Sequence, residues 1–155
     1  MYKVNDGILE DKGEIENYLT GILLRFKGDT VEYVNGGHPL LLYRNTKGKV
    51  RHAVVPGYSP TGTTVAMMKG MPVEYHTMQF KVQSGDCLLI YSDCLKESTN
   101  VAGEEFGEER VQAAFAGARG ETAQDKLDAL LRSFESFTRD KPLKDDLTII
   151  LLQRK

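Results

Sequence analysis

The chain has 155 residues, 41% apolar and 27% charged, with a formal charge of −2 at pH 7. That composition fits one folded domain over 1–155, long enough to bury a core, without the basic field that nucleic acid or an anionic membrane surface selects. No apolar run approaches the roughly 20 residues that span a bilayer, and the N-terminus has no signal-peptide core. The two cysteines, Cys87 and Cys94, lack ligand or disulfide spacing. Cys87 reads as a small core residue and Cys94 as a turn thiol, so a reducing cytoplasm is the expected location.

The first two-thirds of the chain predict strands. An apolar segment from Thr20 to Phe26 meets a turn at Gly28-Asp29, and Thr30 to Val34 then alternates with period two, as a half-buried strand does. Gly36-Gly37-His38-Pro39 breaks the chain, Leu40 to Tyr43 resumes as a strand, and Asn45 to Lys49 turns into a further strand, Val50 to Val55. Pro56 to Pro72, rich in glycine, proline and threonine, predicts a long loop or flap, of the kind that is more often functional or mobile than accidental. Val73 to Val82 returns to strand, and Ser84-Gly85-Asp86 turns it into the apolar run that begins at Cys87.

Helices follow. Val111, Ala114, Phe115 and Ala118 fall on one stripe of Glu108 to Ala118, ended by Gly117 and Gly120. Thr122, three residues before Asp125, predicts a capped start for a second helix whose apolar face is Leu127, Leu130, Leu131, Phe134 and Phe137. After Pro142 the chain ends in a strand over Leu147 to Leu152. Strands, two helices and a strand predict an α+β fold, with helices packed on antiparallel sheet.

Two acid-bearing runs carry the chemistry. Cys87 to Tyr91 is apolar and ends in Ser92-Asp93, and the final strand starts from Asp145-Asp146. If the two strands are antiparallel neighbours, both acidic ends share one rim, where carboxylates make a hard-oxygen site for Mg²⁺ or Mn²⁺. Tyr33-Val34-Asn35-Gly36-Gly37-His38-Pro39, Gly85-Asp86, Tyr91-Ser92-Asp93, Gly103-Glu104-Glu105-Phe106-Gly107 and Asp145-Asp146-Leu147-Thr148, in that order, extend the pattern over nearly the whole chain. This order resembles the metal-dependent PPM (protein phosphatase 2C-like) phosphatases, in their bacterial SpoIIE-type (stage II sporulation protein E) branch.

The resemblance implies an antiparallel β-sandwich flanked by helices, with two Mn²⁺ or Mg²⁺ ions about 3.5–4 Å apart activating a water. That water attacks a phosphoserine or phosphothreonine of a phosphorylated regulatory protein, in this branch an anti-anti-sigma-like one. Asp93 matches the ligand of the Ser/Thr-Asp-Gly motif, and Asp145 matches the first acid of the final motif. Asp146 is the further candidate, although neighbours in an extended strand point to opposite faces. Asp93 and Asp145 are thus the expected catalytic pair.

The chain departs from the family pattern at two points. The glycine after the motif aspartate is Cys94 here, which predicts strain if that turn needs positive φ. The opening Asp-x-x-Gly-x-Gly has no counterpart, and Met1 to Asp11 resembles the tail of the helix that follows it. The expectation is therefore the C-terminal portion of the phosphatase domain, truncated at its N-terminus, with an incomplete two-metal site and little or no activity by itself. Missing strands leave an open edge that makes a dimer possible. The alternative is a catalytically inactive, protein-binding regulatory module of the same fold.

The other candidates read more plainly. His38 is expected in a turn bonded to nearby backbone, and His52 and His76 in packing or surface roles. Glu97, one helical turn beyond Asp93, reads as a first-turn surface acid, with reach to a metal-bound water as the alternative, and Glu104, Glu105, Glu108 and Glu109 with Arg110 read as a solvated face.

Overall fold

The computed structural model describes residues 1–13, 17–54, 57, 61–139 and 141–155. They form two compact units, Met1–Leu40 with Ala53–Lys81, and Leu41–His52 with Val82–Lys155.

The first unit opens with helix α1 (Tyr2–Asp11), followed by strands β1 (Gly21–Lys27), β2 (Thr30–Gly36) and β5 (Thr77–Lys81), the fifth strand in the chain. The three strands form an antiparallel sheet in the order β1-β2-β5, with Phe26 opposite Val31 across the Gly28-Asp29 turn. The predicted alternation is present in β2, where Val31, Tyr33 and Asn35 are buried and Thr30, Glu32 and Val34 half-buried. Helix α1 is held by a polar anchor. The buried Asn5 side chain accepts from the Ala66 N–H at 2.8 Å and from the Tyr75 hydroxyl at 3.2 Å.

Those contacts shorten the strand expected over Val73 to Val82. The Tyr75 N–H donates to the Tyr2 hydroxyl and the Glu74 N–H to Thr63 Oγ1, so these residues serve the helix and the loop, and ladder pairing starts at Thr77. The Gly36-Gly37 break has a steric cause. Gly37 has φ +77°, and a Cβ there would lie 2.6 Å from Thr64 Oγ1. Of the long loop predicted over Pro56 to Pro72, Pro56, Tyr58, Ser59 and Pro60 lie outside the described residues, as does Val55, the expected end of the preceding strand.

The second unit contains strands β3 (Leu42–Arg44), β4 (Val50–His52), β6 (Cys87–Tyr91) and β7 (Ile149–Gln153), with helices α2 (Cys94–Glu97), α3 (Gly107–Gly117) and α4 (Ala123–Thr138). The sheet order is β4-β3-β6-β7, antiparallel throughout. Its core joins Leu42, Leu89, Tyr91 and Leu151 to Phe106, Val111, Phe115, Leu130 and Phe134 of the helical layer. Phe106 meets Phe134 and Phe137 edge-on at 5.4 and 5.3 Å between ring centres, a favoured aromatic geometry.

The helix stripes and the Thr122 cap are as the sequence predicts. Thr122 Oγ1 accepts from the Asp125 N–H at 3.1 Å, and the Asp125 carboxylate accepts from the Thr122 N–H at 2.9 Å. The α+β class and the antiparallel pairing also agree with the sequence. Some bounds differ. Strand β3 begins two residues later than expected, at Leu42, and β7 begins at Ile149, the Thr148 N–H being taken by Ser92 Oγ.

Buried Asp86 explains the Gly85-Asp86 turn. Its carboxylate accepts from the Tyr43 hydroxyl at 2.6 Å, the Gln83 N–H at 2.8 Å and the Thr46 N–H at 3.1 Å. One side chain thereby fixes both the entry to β6 and the turn leaving β3.

Candidate active site

Strands β6 and β7 are antiparallel neighbours, and Tyr91 at the end of one faces Ile149 at the start of the other. The acids that flank these strands therefore leave the sheet at one rim. Ser92 joins the two exits. Its N–H donates to the Thr148 carbonyl at 2.9 Å, its Oγ accepts from the Thr148 N–H at 3.0 Å, and its hydroxyl donates to the Asp146 carbonyl at 3.0 Å.

Asp93 follows as the N-cap residue of α2, in right-handed helical conformation with φ −57° and ψ −28°. Cys94 is then the first helical residue and is buried. The strain expected of a cysteine in the family's glycine position is absent, since the positive-φ non-glycine residues among those described are Ala66 and Arg139. The Cys94 thiol instead points at the Asp145 carbonyl, Sγ to oxygen 3.2 Å, and lies 3.6 Å from Ser98 Oγ. Cys94 is thus a tie between loops rather than a turn thiol. Engaged with backbone oxygen, it is not offered as a soft ligand.

A polar cavity of about 280 Å³ opens at this rim, lined by Asp93, Glu97, Glu105 and Asp145, with Lys144, Cys94 and Ser98. Asp93, Glu97, Glu105 and Asp145 are exposed, so water screens their mutual repulsion. Asp146 is exposed on the same loop, and its N–H donates to Asp145 Oδ1 at 2.8 Å. The expectation that strand alternation separates Asp145 from Asp146 does not apply, because both precede β7, Asp145 in a bend.

The acidic face expected of Glu104, Glu105, Glu108 and Glu109 is divided. Glu105 lines the cavity, whereas half-buried Glu108 accepts from the Tyr91 hydroxyl at 2.8 Å and pairs with His52 Nε2 at 2.9 Å. Burial raises the Glu108 pKa, but hydrogen bonds from His52, Tyr91 and Gln112 outweigh it and leave a net lowering. Tyr91 is shifted upward by burial and by that carboxylate. Arg110 serves none of these acids: it donates to the Glu105 and Phe106 carbonyls and lies over the Phe137 ring. His52 thus has a partner that spacing did not reveal, from a helix 56 residues away.

His38 matches its expected turn role, its N–H donating to Asn35 Oδ1 and its carbonyl accepting from Asn35 Nδ2, at 2.8 Å each. His76 pairs with Glu74 on the surface. Ser92, Glu105 and Lys144 are the rim residues that residue-type reasoning did not assign. Only Ser92 carried a local signal, a hydroxyl beside an aspartate at a strand end, where such side chains bond backbone.

With this geometry in view, comparison with known proteins is decisive. The model of the stage II sporulation protein E (SpoIIE) family matches residues 3–155. The chain belongs to the SpoIIE family. Its fold is that of PPM-type phosphatase domains. It superposes on the SpoIIE phosphatase domain of Bacillus subtilis with a TM-score of 0.68 at 16% identity, covering 96% of this chain and 62% of that one. The RsbU and RsbW domains of a Mycobacterium tuberculosis protein give 0.66 at 21% identity, over 88% and 37% of the two chains. PppA of Pseudomonas aeruginosa, described as a regulatory component of its T6SS, gives 0.61 at 13% identity, over 98% and 64%. No curated protein sequence matches significantly. The chain therefore spans less than two thirds of the length of each of these three structures.

The family implies Mn²⁺ or Mg²⁺, and the donors here are of the right kind, exposed carboxylates in a polar cavity. They are few. Among the described residues no three His, Cys, Asp or Glu side chains group closely enough to hold an ion. The donor chemistry fits the ions, with a partial ligand set. No described helix is long and apolar enough to cross a membrane.

Proposed function

We propose that this chain is the C-terminal portion of a metal-dependent serine/threonine protein phosphatase domain whose substrate is a phosphorylated regulatory protein. The observation that carries this reading is the shared cavity of Asp93 and Asp145, two acids in the family's motif order at the common rim of β6 and β7. In this reading Asp93 and Asp145 hold Mn²⁺ or Mg²⁺, with Asp146 as a further ligand on the same loop. When bound, such ions activate a water and neutralise phosphoryl charge.

The chain's own residues do the positioning. The hydrogen bonds of Ser92 and Cys94 hold the two acidic loops in fixed register, so the carboxylates are set before any ligand arrives. Glu97 and Glu105 add negative charge that attracts divalent cations and repels a free phosphate. Lys144 is the cation on the cavity wall available to a phosphoryl oxygen.

A second reading, a partner-binding module of the same fold without turnover, is favoured by Cys94 standing where the family has glycine. Hydrolysis of p-nitrophenyl phosphate and of a phosphoserine peptide with Mn²⁺ separates the two. The phosphatase reading expects little turnover from these 155 residues and clear turnover from a longer protein that includes an opening Asp-x-x-Gly-x-Gly, abolished by Asp93→Ala without unfolding. Turnover by the longer protein that survives Asp93→Ala overturns the assignment, and its complete absence selects the module.

A further inference from the structure

The other end of the same sheet carries a site of opposite sign. Arg44, Cys87 and Gln153 lie side by side across β3, β6 and β7, at the far end of β6 from Asp93. A cavity of about 490 Å³ opens there between the β3–β4 turn and the segment joining α3 to α4. Arg44, Lys47, Arg119 and Lys126 line it, against the single carboxylate of Glu121.

Two of the four cations are more than nine-tenths buried, Arg44 at 6% exposed and Lys126 at 7%. Neither forms an ion pair among the described residues. Arg44 Nη2 donates to the Ala118 carbonyl at 2.9 Å, and its Nε is buried with no acceptor. Lys126 Nζ donates to the Gly120 carbonyl at 2.7 Å and to Gln153 Oε1 at 3.0 Å, with the Glu121 and Thr122 carbonyls at 3.3 and 3.4 Å, so its N–H groups are satisfied and only its charge is unpaired. Neutral carbonyls satisfy N–H groups without cancelling charge, and the C-terminal end of α3 offsets only a fraction of one unit. Asp125 attracts Lys126 without a direct ion pair and the Phe115 ring lies 5.9 Å from the Arg44 guanidinium, so each charge is offset only in part, and an unmatched buried donor is rare enough to need an explanation.

We propose that this cavity binds a phosphate-bearing small molecule. A dianion would supply the missing counter-charge and an acceptor for the guanidinium, whose geometry suits phosphate oxygens. The volume lies in the range of small-molecule sites, about 300–1,000 Å³, with room for more than the phosphate group. Lys47 and Arg119 are exposed and line the cavity, Arg119 Nη1 donating to the Ala116 carbonyl at 2.8 Å. This site is independent of the candidate metal rim, and its existence does not depend on phosphatase activity.

The test uses the 155-residue chain in metal-free buffer containing EDTA, so that the acidic rim has no affinity for phosphate. Inorganic phosphate and adenosine monophosphate are titrated against sodium chloride at matched ionic strength, followed by melting temperature and by amide chemical shifts. The expected result is a saturable rise in melting temperature with the phosphates alone, and shifts centred on Lys47, Gly48, Arg119 and Gly120. Lys47→Ala and Arg119→Ala, both surface changes, should each weaken binding about fivefold or more. Tighter binding of the nucleotide identifies a phosphate ester as the occupant, and equal binding identifies the free anion. Equal effects of chloride, shifts centred on the Asp93 and Asp145 loops, or affinity unchanged in both variants would each overturn the proposal.

Discussion

The Cys94 thiol donates to the Asp145 carbonyl at 3.2 Å, so the residue that follows one candidate ligand is bonded to the backbone of the other. Glycine at this position, as the family pattern has it, would leave that carbonyl without its thiol partner and would empty a buried site. Because Cys94 begins a helix in right-handed conformation, glycine also brings entropy and no relief of strain. Cys94→Gly is therefore expected to destabilise the chain by about 1–2 kcal/mol. Cys94→Ser, which keeps a donor, should lose less. Thermal unfolding followed by circular dichroism checks both, and a melting temperature that rises in Cys94→Gly would restore the strain argument.

The sequence disclosed what depends on periodicity and local chemistry. The alternation of Val31, Tyr33 and Asn35, the stripe of Val111 and Phe115, and the Thr122–Asp125 cap were all legible, since each is set by residues within a turn or two. The common rim of Asp93 and Asp145 was legible as well, because two apolar runs with acids at opposite ends meet that way only when antiparallel. What stayed hidden was set by distant side chains. Nothing local to His52 or Tyr91 announces Glu108, and nothing near Val73 announces that Tyr2 captures the Tyr75 N–H. The start of β7 was misjudged for the same reason, a side chain outcompeting the ladder.

Ser92 is expected to matter more for the order of the rim than for global stability. Its hydroxyl bridges the Asp146 carbonyl and the Thr148 N–H in an exposed setting, where water replaces lost partners at small cost. Ser92→Ala should lower stability by about 1 kcal/mol. Hydrogen exchange at the Thr148 amide should accelerate well beyond that of the β7 core. Unchanged protection at Thr148 would show that the hydroxyl bridge does not fix this loop.

Binding of Mn²⁺ by the 155-residue chain should be weak, with a dissociation constant on the order of 10⁻³ M, the range of sites with few charged ligands. Calorimetry at neutral pH measures it directly. Asp93→Asn and Asp145→Asn should each reduce it further, while Asp146→Asn separates that residue's contribution from its neighbour's. Micromolar affinity lost in both of the first two variants would mean that the ligand set in this chain is more complete than two motif acids.

Alkaline pH should weaken the second unit through Tyr43. Burial, and then its 2.6 Å bond to the Asp86 carboxylate, push the Tyr43 pKa up to about 12. An unfolded tyrosine titrates near 10. Because the folded value is the higher one, the native chain holds the proton more tightly. The stabilisation is therefore fully present below about pH 10 and is lost as pH rises through about 12. Urea midpoints should hold steady up to about pH 9 and then fall. Tyr43→Phe should start from a lower midpoint at neutral pH, because Asp86 loses one of its donors, and should fall less steeply between about pH 10 and 12. Absorbance near 295 nm, which follows tyrosinate, should show a transition near pH 12 that is missing from Tyr43→Phe. Equal slopes for the two proteins would show that the Tyr43–Asp86 bond does not couple ionisation to folding.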